Sequence, residues 1–113
     1  MEFIESPMFT KEVYKYLSEE EYSDLQLELV KNPQLGDVIP GCGGIRKVRW
    51  GSRSKGKRGG IRTLYLYIDI VGHMHLLGIF GKNVKEDLNS GEKKKLKELA
   101  QKLKNISRKY FNR

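Results

Sequence analysis

Residues 61–70 read Ile61-Arg62-Thr63-Leu64-Tyr65-Leu66-Tyr67-Ile68-Asp69-Ile70. Leu64, Leu66, Ile68 and Ile70 alternate with Thr63, Tyr65, Tyr67 and Asp69, and a period of two sends each set to its own face of a strand. Arg62 opens the face that carries Leu64. Beyond a turn near Val71-Gly72, a second strand is predicted over about Met74 to Phe80. There Leu76, Leu77, Ile79 and Phe80 run almost unbroken, which points to burial on both faces. Upstream, Ile45 to Trp50 alternates as well, with Ile45, Lys47 and Arg49 on one side and Arg46, Val48 and Trp50 on the other. Between these strands, Gly51 to Gly60 carries too much glycine for regular structure and reads as a flexible hairpin loop.

Helices flank this three-strand meander. Ser6-Pro7 is an N-cap followed by proline at the first helical position, and Phe9, Val13, Tyr16 and Leu17 then recur at helical spacing. Ser18 with Glu21 forms the pattern of a capping box, and Glu19 and Glu20 complement the positive end of the helix dipole. Tyr22, Leu25, Leu29 and Val30 make the apolar side of this second helix, which Asn32-Pro33 ends. Asn89 or Ser90 caps a last helix, whose stripe is Leu96, Leu99, Ala100, Leu103 and Ile106. Met1 to Glu5 is a candidate edge strand. The expected architecture is α+β, with an acidic helical hairpin and a C-terminal helix packed on a small antiparallel sheet, in one domain spanning residues 1–113.

Charge is distributed unevenly along this plan. From Val38 to Ile68 there are eight lysines and arginines and no carboxylate, with Arg46, Lys47, Arg49, Arg53, Lys55, Lys57, Arg58 and Arg62 interleaved with glycines. Residues 1–37 carry a net charge of −6 and residues 82–113 a net charge of +7. A solubilising surface mixes signs. An acidic front and a basic remainder instead create an oriented field that steers a polyanion to one side, which favours nucleic acid over small anions.

The remaining composition excludes several classes. The longest apolar runs fall well short of the roughly 18 residues of a membrane span, and Met-Glu-Phe-Ile-Glu lacks the basic start of a signal peptide. A cytoplasmic protein is expected, with no membrane partner. Cys42 is the only cysteine, so no internal disulfide forms and no cysteine-based zinc site is expected. His73 and His75 flank the turn at the end opposite Arg62, away from the basic cluster. Trp50, Tyr65 and Tyr67 suit either base stacking or the core.

This layout, with Gly44-Ile45-Arg46-Lys47-Val48-Arg49, the Gly-Lys-Arg-Gly-Gly stretch at Gly56 to Gly60, Arg62, Tyr65 to Asp69, Gly81-Lys82-Asn83 and Asp87-Leu88, resembles the HigB branch of RelE-like toxins. The resemblance implies the toxin of a type II toxin–antitoxin pair, an endoribonuclease that enters the ribosomal A site and cuts translated mRNA. It also implies chemistry without metal or cofactor: the mRNA 2′-hydroxyl attacks the adjacent phosphate, leaving a cyclic phosphate and a free 5′-hydroxyl. The partners implied are the ribosome, mRNA and a HigA-like antitoxin with a helix-turn-helix domain.

Carried over by position, Lys47 and Arg49 match two basic residues on the strand before the loop. Arg62 matches an arginine opening the next strand, and Lys82 a basic residue at a strand end. Asn83 replaces an arginine of RelE itself, and Asn89 stands where RelE has a tyrosine. Lys47 serves as a base only if Arg49 and Arg62 disfavour its charged form. Arg49 and Arg62 suit bidentate phosphate clamps. Arg53, Lys55, Lys57, Arg58 and Asn83 read as RNA-backbone contacts. The competing reading is a noncatalytic basic protein that binds RNA or DNA.

Overall fold

The computed structural model describes residues 1–52, 57–81 and 88–111, with side chains placed for all of these except 52 and 57–59. In chain order the elements are β1 (Glu2–Glu5), α1 (Pro7–Tyr16), α2 (Glu19–Lys31), β2 (Asp37–Val38), β3 (Arg46–Ser52), β4 (Lys57–Ile68), β5 (His73–Gly81) and α3 (Ser90–Phe111). The strands form one five-stranded sheet in the order β1-β5-β4-β3-β2.

Two features depart from the expected plain antiparallel sheet. β1 pairs with β5 in parallel, because the helical hairpin between β1 and the meander carries the chain back to the end from which it began. The helices also take opposite faces. Phe9, Val13, Leu25 and Leu29 of α1 and α2 join Val48, Ile61, Tyr65 and Leu76 in one core. On the other face Ala100 of α3 joins Leu64, Leu66, Ile68 and Leu77. Both residue sets of β4 are apolar, so each needs a cover.

The unbroken apolar run of β5 has a local cause. Leu64 pairs with Gly78 while Tyr65 pairs with Leu76, so Leu77 is the extra residue of a β-bulge. The bulge resets the alternation, sending Leu76 and Ile79 to the hairpin core and Leu77 and Phe80 to the α3 core. β4 begins at Lys57, so the second half of the glycine-rich stretch is strand rather than loop, paired from Ser52 to Lys57. The strand stops at Ile68, and Asp69 to Gly72 make the turn, closed by Gly72 N–H donating to the Asp69 carbonyl at 3.1 Å.

Caps set the helix starts. Ser6 Oγ accepts from Phe9 N–H at 3.1 Å and donates to the Leu77 carbonyl at 2.9 Å, which ties the start of α1 to β5. Ser18 and Glu21 complete the expected capping box at 3.1 and 2.8 Å. Asn89 and Glu92 make the same reciprocal pair at 2.8 and 3.0 Å, so Asn89 rather than Ser90 caps α3. Two residues drop out of the expected apolar stripes: Val30 is exposed, and Ile106 is 63% exposed. On α3, Ser107 stands one heptad beyond Ala100 and so continues the stripe that faces the sheet, whereas Ile106 is rotated off it.

The edge strands are short and share one end of the sheet. β1 covers His73 to Leu76, and β2 covers only Arg46 and Lys47. At the other end, where Trp50, Ile61 and Gly81 lie in register, the sheet is three strands wide among the described residues. Arg49 and Arg62 lie towards that bare end, one step beyond Lys47, the last residue that β2 pairs.

Candidate nucleic-acid interface

The β3–β4 register builds the site. Arg49 lies directly opposite Arg62, and Lys47 opposite Leu64, so Lys47, Arg49 and Arg62 share the face that α3 covers further along. Like charges in direct cross-strand register repel, and an anion between them relieves that cost. The three differ in depth. Arg49 is exposed, Lys47 is half-buried, and Arg62, flanked on its other side by Phe80, is only 3% exposed.

Lys47 and Arg49 open into a cleft of about 630 Å³ at the edge of β3 where β2 ends, walled by Leu35 to Pro40 on one side and reached by Lys93 from α3. Trp50 lines it as well, its ring partly packed against the hairpin core. Among the described residues neither Lys47, Arg49 nor Lys93 makes an ion pair. Among the described lining residues Asp37 is the only carboxylate, against the cations Lys47, Arg49 and Lys93.

The outer wall is held by residues that the sequence reading left open. Tyr65 is fully buried in the hairpin core, so it is not a base-stacking platform. Its hydroxyl accepts from Gly36 N–H and donates to the Pro33 carbonyl, both at 2.9 Å. Burial raises the phenol's pKa, opposed by the Gly36 N–H and the Arg46 charge, and the group stays neutral and able to donate. Arg46 lies on the face opposite Lys47 and donates to the Gly36 carbonyl at 2.7 Å. The first cation of the basic run is therefore a loop clamp. A Cβ on Gly36 would sit 2.7 Å from the Lys47 carbonyl oxygen, and this position requires glycine for close approach to β3.

Loop 39–45 fixes α3 in turn. Gly41, Gly43 and Gly44 have φ of +76°, +69° and +100°, and reverse the chain within a few residues. The buried Cys42 thiol contacts the Lys93 carbonyl at 3.8 Å, and Lys104 Nζ donates to the Gly43 carbonyl. Burial pushes the Cys42 pKa up, with Lys93 opposing. A neutral, enclosed thiol is a packing group.

Of the residues named from sequence, Lys47, Arg49 and Arg62 come together. Arg53, Lys55, Lys82, Asn83 and Asp87 lie outside the described residues, as do the side chains of Lys57 and Arg58. His73 and His75 sit at the far end of the β4–β5 ladder, in register with Ile68 and Leu66, as expected. Among the described residues, no three His, Cys, Asp or Glu side chains gather as metal ligands do, and no helix is long and apolar enough to cross a membrane. The sequence reading missed Lys93. Its signal was present: Lys93 precedes Ala100 by one heptad, a lysine on the stripe that faces the sheet.

Fold and site together define a small basic α+β domain with a cationic cleft at the sheet edge where β2 ends. The chain belongs to the RelE toxin family: the family model for the RelE toxin of the RelE/RelB toxin–antitoxin system matches residues 8–113. Membership implies an antitoxin partner. A solved structure of a mutant of E. coli toxin RelE in the free state shares the fold, with a TM-score of 0.54 and 19% sequence identity over 75% of this chain and 86% of that one.

Proposed function

We propose that this toxin is a ribosome-dependent mRNA endoribonuclease of the HigB branch, cutting translated mRNA in the ribosomal A site. The observation that carries the reading is the cross-strand pair Arg49 and Arg62 with Lys47 on the same face, opening to a cationic cleft. In the proposed reaction the ribose 2′-oxygen forms a bond to the adjacent phosphorus as the bond to the 5′-oxygen breaks. A 2′,3′-cyclic phosphate and a 5′-hydroxyl result. The proton leaves the 2′-hydroxyl and the departing 5′-oxygen takes one up, so the net atom balance is internal to the RNA.

Negative charge builds on the phosphorane oxygens, and preorganised cations at that point lower the barrier most. Arg49 is exposed and Arg62 lies buried opposite it in register, and guanidiniums suit a clamp on two phosphate oxygens. Lys47, beside Asp37 in the β2–β3 register, is assigned to proton acceptance or oxygen stabilisation. Lys82, the residue after the last of β5, is assigned to the leaving-group side, with Asn83 as an RNA contact. Arg53, Lys55, Lys57 and Arg58 are assigned to grip RNA backbone. No metal takes part in this scheme, the protein acts in the cytoplasm, and a HigA-like helix-turn-helix antitoxin neutralises it.

Primer extension on mRNA bound to programmed ribosomes tests the reading. Wild-type protein should produce cuts within the A-site codon that carry a 5′-hydroxyl downstream, and EDTA treatment of the toxin should leave its rate unchanged. Intact RNA binding with no cleavage on ribosomes would instead identify a noncatalytic binder.

A further inference from the structure

α3 is covered in lysine, and most of that charge lies on its solvent side: Lys94, Lys95, Lys97 and Lys102 are exposed. Lys93 differs. It stands on the sheet-facing stripe one heptad before Ala100, it is half-buried, and it lines the same cleft as Lys47, Arg49 and Trp50. Apolar residues hold this stripe at Leu96, Ala100 and Leu103. A lysine there forgoes the burial an apolar side chain would gain, so packing alone does not account for it.

The position is also fixed. The Lys93 carbonyl is held by the Cys42 thiol, and Lys93 N–H donates to the capping Asn89 carbonyl at 3.0 Å. Cys42 in turn sits in a loop pinned by three left-handed glycines and by Lys104. The ammonium is thus delivered across the cleft by an element other than the sheet that supplies Lys47 and Arg49. Among the described residues it has no carboxylate in ion-pair range.

We infer that Lys93 is an RNA phosphate-binding residue, and that the cleft between α3 and the edge of β3 where β2 ends holds one nucleotide beside the cross-strand arginine pair, with Trp50 as the wall against its base. A single nucleotide fits within about 300–1,000 Å³, the range of small-molecule sites, and the cleft is of that size. Three cations from two elements take the phosphate, and an aromatic wall adds sequence-tolerant stacking. The inference rests on RNA being the ligand of this site, as proposed above, and adds a residue and a subsite to it.

Trp50 is the chain's only tryptophan, so its emission reads this cleft alone. The probe is a short single-stranded oligoribonucleotide, 2′-O-methylated so that it cannot be cut, titrated at several salt concentrations. Wild type should show quenching of Trp50, with affinity falling steeply as salt rises. Lys93→Gln should weaken binding several-fold and reduce the slope of log K against log salt by about 0.7, the share of one phosphate on a single strand. Lys93→Arg should restore the slope, and Lys94→Gln and Lys102→Gln should leave it as in wild type. No Trp50 response, an unchanged slope in Lys93→Gln, or equal losses in the Lys94 and Lys102 variants would overturn the inference. Ribosomal cleavage measured alongside separates the two claims. A lost slope with no cleavage by wild type sinks the nuclease reading alone, while normal cleavage with an unmoved slope sinks the Lys93 subsite alone.

Discussion

The two ends of the β4–β5 ladder carry titratable side chains on the same face of the same strands, yet their fates are opposite. At one end Arg62 lies between Arg49 and Phe80, beside a cleft that opens to solvent. At the other end His75 lies between Leu66 and Ile4, and His73 meets the ring of Tyr110 from α3 at 6.1 Å. The difference is cover. β1 and the last turns of α3 close over the histidine end, whereas β2 is two residues long and neither edge strand reaches the arginine end. The face becomes core where β1 and α3 cover it, and it carries the arginine pair beyond Lys47, the last residue that β2 pairs.

The sharpest way to break this comparison is at its charged end. Arg62→Ala should lower single-turnover cleavage on programmed ribosomes by about 10²–10³, the usual loss when one preorganised electrostatic group is removed from a transition state. Arg62→Lys should recover only part of this, because an ammonium cannot reproduce the guanidinium fork. A thermal melt on each variant separates the loss of chemistry from the loss of a buried side chain. Wild-type cleavage by a folded Arg62→Ala protein would remove the arginine end from the mechanism.

Next in size is the wall that keeps the cleft narrow. Gly36→Ala places a Cβ 2.7 Å from the Lys47 carbonyl and 3.0 Å from Val48 N, both backbone atoms of a paired strand that cannot yield. A destabilisation of about 2–3 kcal/mol is expected from such overpacking, read from the urea midpoint. Little change would mean that the wall is free to move away from β3. Tyr65→Phe should cost less, about 1–2 kcal/mol, by leaving Gly36 N–H and the Pro33 carbonyl without the hydroxyl that joins them. A stability equal to wild type would show that the hydroxyl contributes nothing to holding the wall.

These residues mark where sequence was a sufficient guide. Periodicity found the strands and the capping serines because both signals are local, and alternation put Lys47 with Arg49 on one strand face and Arg62 with Leu64 on another, which the β3–β4 register then joins. It failed where a long-range contact decides. Arg46 and Lys47 are adjacent and both basic, but only the carbonyl of Gly36, ten residues upstream, makes Arg46 a clamp. Tyr65 read equally as core or base platform until the hairpin was packed over it. The β-bulge at Leu77 had no local signature, since an extra residue in an apolar run leaves the run apolar. Lys93 was hidden because its heptad relation to Ala100 matters only once α3 is known to lie across the cation face.

The smallest expected effect tests the covered end. His75 is buried and its pKa is lowered, chiefly by burial and further by the neighbouring His73. The folded protein therefore keeps this imidazole neutral at pH values where the unfolded chain protonates it. Its folded pKa lies below its unfolded one, so the unfolded state binds more protons as pH falls through the ordinary histidine range near 6.5. Stability linked to His75 is thus complete above that range, declines as pH drops through it, and declines no further once the folded-state imidazole also titrates. Urea midpoints at pH 7.5 and pH 5.5 should show a larger acid-side loss for wild type than for His75→Leu, which has nothing to protonate at that site. Ribosomal cleavage at pH 7.5 should be alike in the two proteins, because the histidine end lies away from the arginine pair. An equal pH response of stability in both would mean that β1 and α3 leave His75 open to water, and the contrast between a sealed end and an open one would then fail.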